Sequence, residues 1–197
     1  MTLGVVSDLA SLELFLRGRL RTAGLVAAGL AAAACGYASA SRADWAALDA
    51  EADARTPSPA QREASRRQGR ALLRAVRVAW PSAATLAALA APGAAPHPPH
   101  HPVVLGAAAA AAGCLTQEAA LVAAYQSVSG PASAAVRLLA LDPLQVSGVL
   151  ARLAEVVEGV AAQAASCCLD ELPFPSAPAL DLLAQAHAGA EVRLFAS

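Results

Sequence analysis

The sequence predicts an all-α fold, a single-domain bundle of about nine helices spanning residues 1–197. Three observations carry this. Apolar residues recur three and four positions apart over long stretches. Helix-start signals, an oxygen-bearing cap followed by Pro or by an acidic or amide side chain, punctuate the chain repeatedly. No alternating β-branched run of strand length occurs.

Taken in order, Asp8 is placed to cap a first helix with Leu9, Leu12, Leu16 and Leu20 on one face, and Glu13 and Arg17 form a favourable i,i+4 pair on its outer side. Residues 22–41 (TAGLVAAGLAAAACGYASAS) follow without a charge. Ser41 and Asp44 fit a capping box for an acidic helix running to Arg55. Ser58, with Pro59 at the first position and Gln61 at the third, starts a helix that Pro81 stops after Trp80. Ser82 opens a short Ala/Leu helix ending at Pro92-Gly93. Residues 91–102 (APGAAPHPPHHP) read as a proline and histidine loop. An apolar helix is expected from Val103 to about Gly113, then one capped by Thr116 and interrupted at Gly130-Pro131. Asp142 with Pro143 begins a long helix whose Val146, Val149, Leu150, Leu153, Val156, Val157 and Val160 share a face. A second proline loop, DELPFPSAP, precedes a last helix over residues 180–187, and residues 188–197 form a C-terminal tail.

Composition narrows the classes. The chain is 57% hydrophobic but only 15% charged and 4% aromatic, which excludes intrinsic disorder. The apolar excess is largely alanine. Residues 22–41 are long enough to span a bilayer core, yet Ala, Gly and Ser carry little transfer energy, so the expected state is a helix packed tightly against others, with no membrane partner. A net charge of −1 gives no pull toward nucleic acid as a whole. Cys35, Cys114, Cys167 and Cys168 lack C-x-x-C spacing and read as small hydrophobes in a reducing cytoplasm.

No phosphate loop, nucleophile elbow or zinc-protease motif is present, so the chain is not expected to be an enzyme. Arg62, Arg66, Arg70, Arg74 and Arg77 form a basic stripe able to bind phosphates of nucleic acid or a membrane surface. The favoured reading is a solvated face beside the helix carrying Asp44, Asp49, Glu51 and Asp53. His97, His100 and His101 offer three imidazoles within five residues, a candidate for Ni²⁺ or Zn²⁺, although no carboxylate or Cys stands near them in sequence and incidental loop histidines are favoured. Val192, Leu194 and Phe195 around Arg193 put scarce bulky side chains at the chain end, which reads as a contact segment.

Several stretches together resemble a known family: HHPVVLGAAAAAAG, AAYQSVSGPASAAVRLLALDP, ALDLLAQAHAGAEVRLFAS, DLASLELFLRGRL and SRRQGRALLRAV, in this sequence spread over nearly the whole chain, are similar to the urease accessory protein family UreF. Members usually open with a segment of the type LPxGGFxxSxGLE. This sequence begins past that point, so the family's N-terminal segment is expected to be lacking, with a hydrophobic groove left open. The resemblance implies an all-α, homodimeric, cytoplasmic and non-catalytic scaffold. Its implied partners are UreD (UreH in some organisms), the GTPase UreG and apo-urease. Ni²⁺ and GTP are then handled by the partner complex, with no cofactor bound by this chain. Carried over residue by residue, it implies partner contacts at Arg193, Leu194 and Phe195, with His187 before them, Tyr125 near the tail or the UreD-facing surface, and Arg137 at a basic position of the same motif.

Overall fold

The computed structural model describes residues 6–38, 44–94, 98–166 and 171–195, with side chains as far as residue 188. Among the described residues there are α-helices α1 (Leu9–Arg19), α2 (Leu25–Ala38), α3 (Trp45–Ala54), α4 (Pro59–Ala79), α5 (Ala84–Leu89), α6 (His101–Ala111), α7 (Thr116–Leu139), α8 (Pro143–Arg152), α9 (Ala154–Ala165) and α10 (Pro178–Phe195), and no strand. A π-turn, Leu20–Gly24, joins α1 to α2 in one rod, so the described residues form nine separate helical rods.

The rod is the spine of the bundle. Leu12, Leu16 and Leu20 follow at four-residue steps and are essentially fully buried; each contributes roughly 1.5–3 kcal/mol. The next core leucine, Leu25, comes five residues later, too far for an α-helical face. The π-turn absorbs the extra residue, and Leu25 joins the same core as the three before it. That core is closed by α7, α8 and α9 through Val128, Val146, Val149, Leu153 and Val157. The opposite side of α2 presents Val26, Leu30 and Ala34 to a second core with α3, α4, α5 and α6, where Trp45, Leu48, Val76, Leu86, Val103 and Val104 meet. Alanine and glycine make these crossings close: a Cβ at Gly106 on α6 would run into the Ala31 carbonyl and the Ala34 methyl of α2. Residues 9–38 are long and apolar enough to cross a membrane, but 61% of their most apolar window is buried in the bundle, the position of a core helix.

The expected caps are where the sequence placed them at three starts. The Asp8 carboxylate accepts from Ser11 N–H at 2.8 Å, Ser58 Oγ from Gln61 N–H at 3.4 Å and the Asp142 carboxylate from Leu144 N–H at 2.8 Å. Asp44 itself caps α3, accepting from Ala47 N–H at 2.9 Å, while Ser41 lies outside the described residues.

Five boundaries differ from expectation. At α5 the cap position is Ala83 rather than Ser82, without a side-chain hydrogen bond. Helix α6 starts at His101, inside the expected loop, because Pro102 falls in the first turn, where a missing N–H costs nothing. The cap of α7 is Leu115, whose N–H donates to Glu118 Oε2 at 2.7 Å, so Thr116 is already helical. The long helix from Pro143 breaks at Leu153, whose N–H is shared between the Val149 and Leu150 carbonyls in a tightened last turn. The last helix runs on to Phe195, so its backbone absorbs the expected tail.

The largest correction is at Pro131. Helix α7 does not stop at Gly130-Pro131 but continues to Leu139. Proline at position 131 leaves the Ser127 carbonyl without its helical donor. Arg19, at the end of α1, supplies that donor: its Nε–H reaches the Ser127 oxygen at 2.9 Å. The close approach rests on Gly24, where a Cβ would stand 2.6 Å from Ser127 Oγ.

Candidate functional site

A buried polar network forms where α3, α4 and the start of α6 meet. The two acids of α3, Asp49 and Asp53, are one turn apart and share a face. Arg66 of α4 bridges them, with 2.9 Å to Asp49 Oδ2 and 2.7 Å to Asp53 Oδ2. His100, 1% exposed, inserts beside them. Its backbone N–H donates to Asp49 Oδ1 at 2.9 Å, its Nε2 lies 2.9 Å from Asp53 Oδ1 and its Nδ1 lies 3.0 Å from Ser65 Oγ. A carboxylate only accepts, so Nε2 carries the proton and Nδ1 accepts from the Ser65 hydroxyl, the neutral tautomer. Burial pushes the His100 pKa below its ordinary 6.5 although Asp53 opposes this. Burial also acts on Asp53, raising its pKa, but hydrogen bonds from His100 and Arg66 and the Arg66 charge prevail and hold it below 3.8.

The sequence suggests a solvated arginine face beside the acidic helix, and His100 as an incidental histidine of a proline loop. The structure corrects both, since Asp49 is 1% exposed and His100 is sealed among polar partners. The missed signal is the matching i,i+4 spacing of Asp49/Asp53 and Arg62/Arg66, two helix faces able to interlock. Three possible ligand atoms, one each from Asp49, Asp53 and His100, lie within 4.8 Å of one another. A cation there would have to displace the Arg66 guanidinium from both carboxylates, so the set is an ion-pair network first. His101 is half-buried, which lowers its pKa, and His97 lies outside the described residues.

Beside this network opens a cleft of about 810 Å³ between the rod, α4, α6, α7 and the start of α10. Arg19, Gln61, His101, Gln126, Phe174 and Asp181 are among its lining residues. Arg55 anchors one wall, donating to the Leu172 and Pro173 carbonyls at 3.0 and 3.1 Å. Its guanidinium also lies 5.4 Å from the centre of the Phe174 ring, within cation–π range. The cleft mixes amides and small apolar side chains with charged Arg19, Arg55 and Asp181. Cys35 is buried, with Sγ donating to the Cys114 carbonyl at 3.4 Å; neither forms a disulfide, and Cys167 and Cys168 lie outside the described residues.

The residues expected to touch partners lie on two helices. Tyr125 is 50% exposed on α7 and adjoins Leu121 and Val122, also exposed. Arg137 is exposed near the far end of the same helix. The helical rise puts the two about 18 Å apart along the axis, so they are not one spot. His187 is exposed on α10, which packs on α4. Arg193, Leu194 and Phe195 belong to α10 by backbone, and their side chains lie outside the described residues.

Comparison with known proteins bears on the whole chain. The sequence profile of the family described as UreF matches residues 6–154. The urease accessory protein UreF of Mycobacterium marinum is 45% identical over 199 aligned positions, covering 100% of this chain and 86% of that protein. That of Mycolicibacterium vanbaalenii is 46% identical, covering 98% and 85%. That of Mycobacterium tuberculosis is 44% identical, covering 93% and 80%. No solved structure matches the chain.

Proposed function

The chain belongs to the UreF family of urease accessory proteins, and from that premise we propose that it is a non-catalytic, cytoplasmic scaffold that bridges UreD (or UreH) and the GTPase UreG for nickel delivery to apo-urease. Nickel and GTP stay with the partners; this chain supplies surfaces. The observation that supports this best is the exposed face of α7, where Leu121, Val122 and Tyr125 stand 39%, 42% and 50% exposed side by side. Such a contiguous apolar patch suits a protein contact. The C-terminal end of α10 adds Leu194 and Phe195, whose burial on a partner is worth roughly 1.5–3 kcal/mol each.

Capture on an immobilised UreD homologue tests the proposal. The full chain is expected to be retained, and both Tyr125→Ala and a chain ending at Val192 are expected to be retained at least tenfold more weakly. Equal retention of all three removes the assignment of these surfaces. Light scattering of the free chain measures the expected homodimer, and a concentration-independent monomer mass refutes it.

A further inference from the structure

The basic stripe on α4 is two different things. Its N-terminal part is neutralised: Arg66 is tied to Asp49 and Asp53, Arg62 Nε stands 4.0 Å from Asp53, and Arg67 pairs with Glu63. One turn further on, the acids of α3 are used up. Arg70, Arg74 and Arg77 are exposed and make no ion pair or hydrogen bond with any described residue. All three line a pocket of about 280 Å³, and no lining residue carries a carboxylate. Leu73, Leu89 and Pro99 give it an apolar floor.

This arrangement works against the helix. Like charges at i and i+4, as in Arg70 and Arg74, weaken it. The negative end of the helix dipole favours a cation only in the last turn, which accounts for Arg77 alone. Positions 70, 74 and 77 lie on one helix face and span about 10.5 Å of the helix axis. Positive charges at that spacing match carboxylates one helical turn apart on a second helix, with the apolar floor left for a side chain between them.

We propose that Arg70, Arg74 and Arg77 form a docking face for an acidic amphipathic helix of a partner protein, its carboxylates on the three guanidinium groups and one apolar side chain in the pocket. This face lies on α4, apart from Tyr125 on α7 and from residues 193–195, and stands independently of the bridging role.

The test is fluorescence anisotropy on the full chain with a labelled synthetic helix of about 15 residues, carrying Glu at i, i+4 and i+7 and Leu at i+3. Saturable binding is expected, weakening at least tenfold from low to high ionic strength. The triple variant R70Q/R74Q/R77Q is expected to bind at least tenfold more weakly with a circular-dichroism melt no lower than the parent's, while R21Q, an exposed arginine elsewhere, binds as the parent does. Equal affinity of the triple variant overturns the proposal, as does the absence of binding. So does equal binding of a scrambled peptide of the same composition, which shows charge attraction without a docking geometry. Tighter binding of an oligo-uridine or of inorganic pyrophosphate assigns the arginines to phosphates instead and overturns it too.

Discussion

Arg19 repairs the hydrogen-bond gap that Pro131 opens in α7, and removing it has a cost that can be worked out. In Arg19→Met the Ser127 carbonyl loses its donor at 2.9 Å, and proline supplies no replacement. A hydrogen bond from a charged donor is worth about 1.5–3 kcal/mol. Arg19 is partly buried with no acidic partner among the described residues, and burial already pulls its pKa down. Relief of that desolvation offsets part of the loss, leaving a destabilisation of about 1–2 kcal/mol. The decisive background is Pro131→Ala, which restores the backbone N–H at position 131. There the Ser127 oxygen has its helical donor, and Arg19→Met is expected to cost at least about 1 kcal/mol less, well beyond the scatter of independent sites. Urea unfolding of the four proteins, followed by helical circular dichroism, gives the coupling directly. If Arg19→Met costs the same in both backgrounds, the side chain is not standing in for the missing amide and the account of how α7 crosses its proline is wrong.

Three further outcomes follow from the packing. His100 is kept neutral with a folded pKa below 6.5, so its contribution is complete above pH 6.5 and is lost as pH falls below it toward the folded value; Asp53, held below 3.8, yields only in stronger acid. The melting temperature is therefore expected to drop between pH 7.5 and 5.5, with a shallower drop in His100→Gln, and a flat profile in the parent removes the buried neutral imidazole. Gly106→Ala forces a methyl into the Ala31 carbonyl and Ala34 and is expected to destabilise by about 1–3 kcal/mol, which a wild-type denaturation midpoint would contradict. Ala140 ends α7 in the left-handed region at φ 53°; Ala140→Gly relieves that and is expected to gain about 0.5–1 kcal/mol despite the freer unfolded chain, any loss in midpoint counting against it.

Local chemistry made much of the bundle readable in advance. A cap needs only a side chain and an amide two or three residues away, so Asp8, Ser58 and Asp142 declared their helices. Of the face predicted from periodicity, Val146, Val149, Leu153, Val157 and Val160 are buried, and Leu150 and Val156 pack partly buried against the same core. What failed was non-local. Nothing near Pro131 shows that an arginine at the end of α1, most of the chain away, will complete its helix. Nothing near His100 shows that Asp49, Asp53 and Ser65 will close around it. The break at Leu153 has neither Gly nor Pro to mark it. Of the contact residues, Tyr125, Arg137 and His187 came from family likeness, and the structure adds that each is exposed, with Tyr125 and Arg137 well apart along α7.

The rod from Leu9 to Ala38 has one more consequence, which concerns how the molecule comes apart. Leu16 and Leu20 belong to one core and Leu30 and Ala34 to the other, yet they share one continuous rod. Neither half can open without stripping one side of that helix and so loosening the other. Amide protons of α4 and α6 on one side and of α7 and α9 on the other should then exchange with solvent through the same global opening, as a single foldon, so that a lesion in either core is registered across the whole bundle.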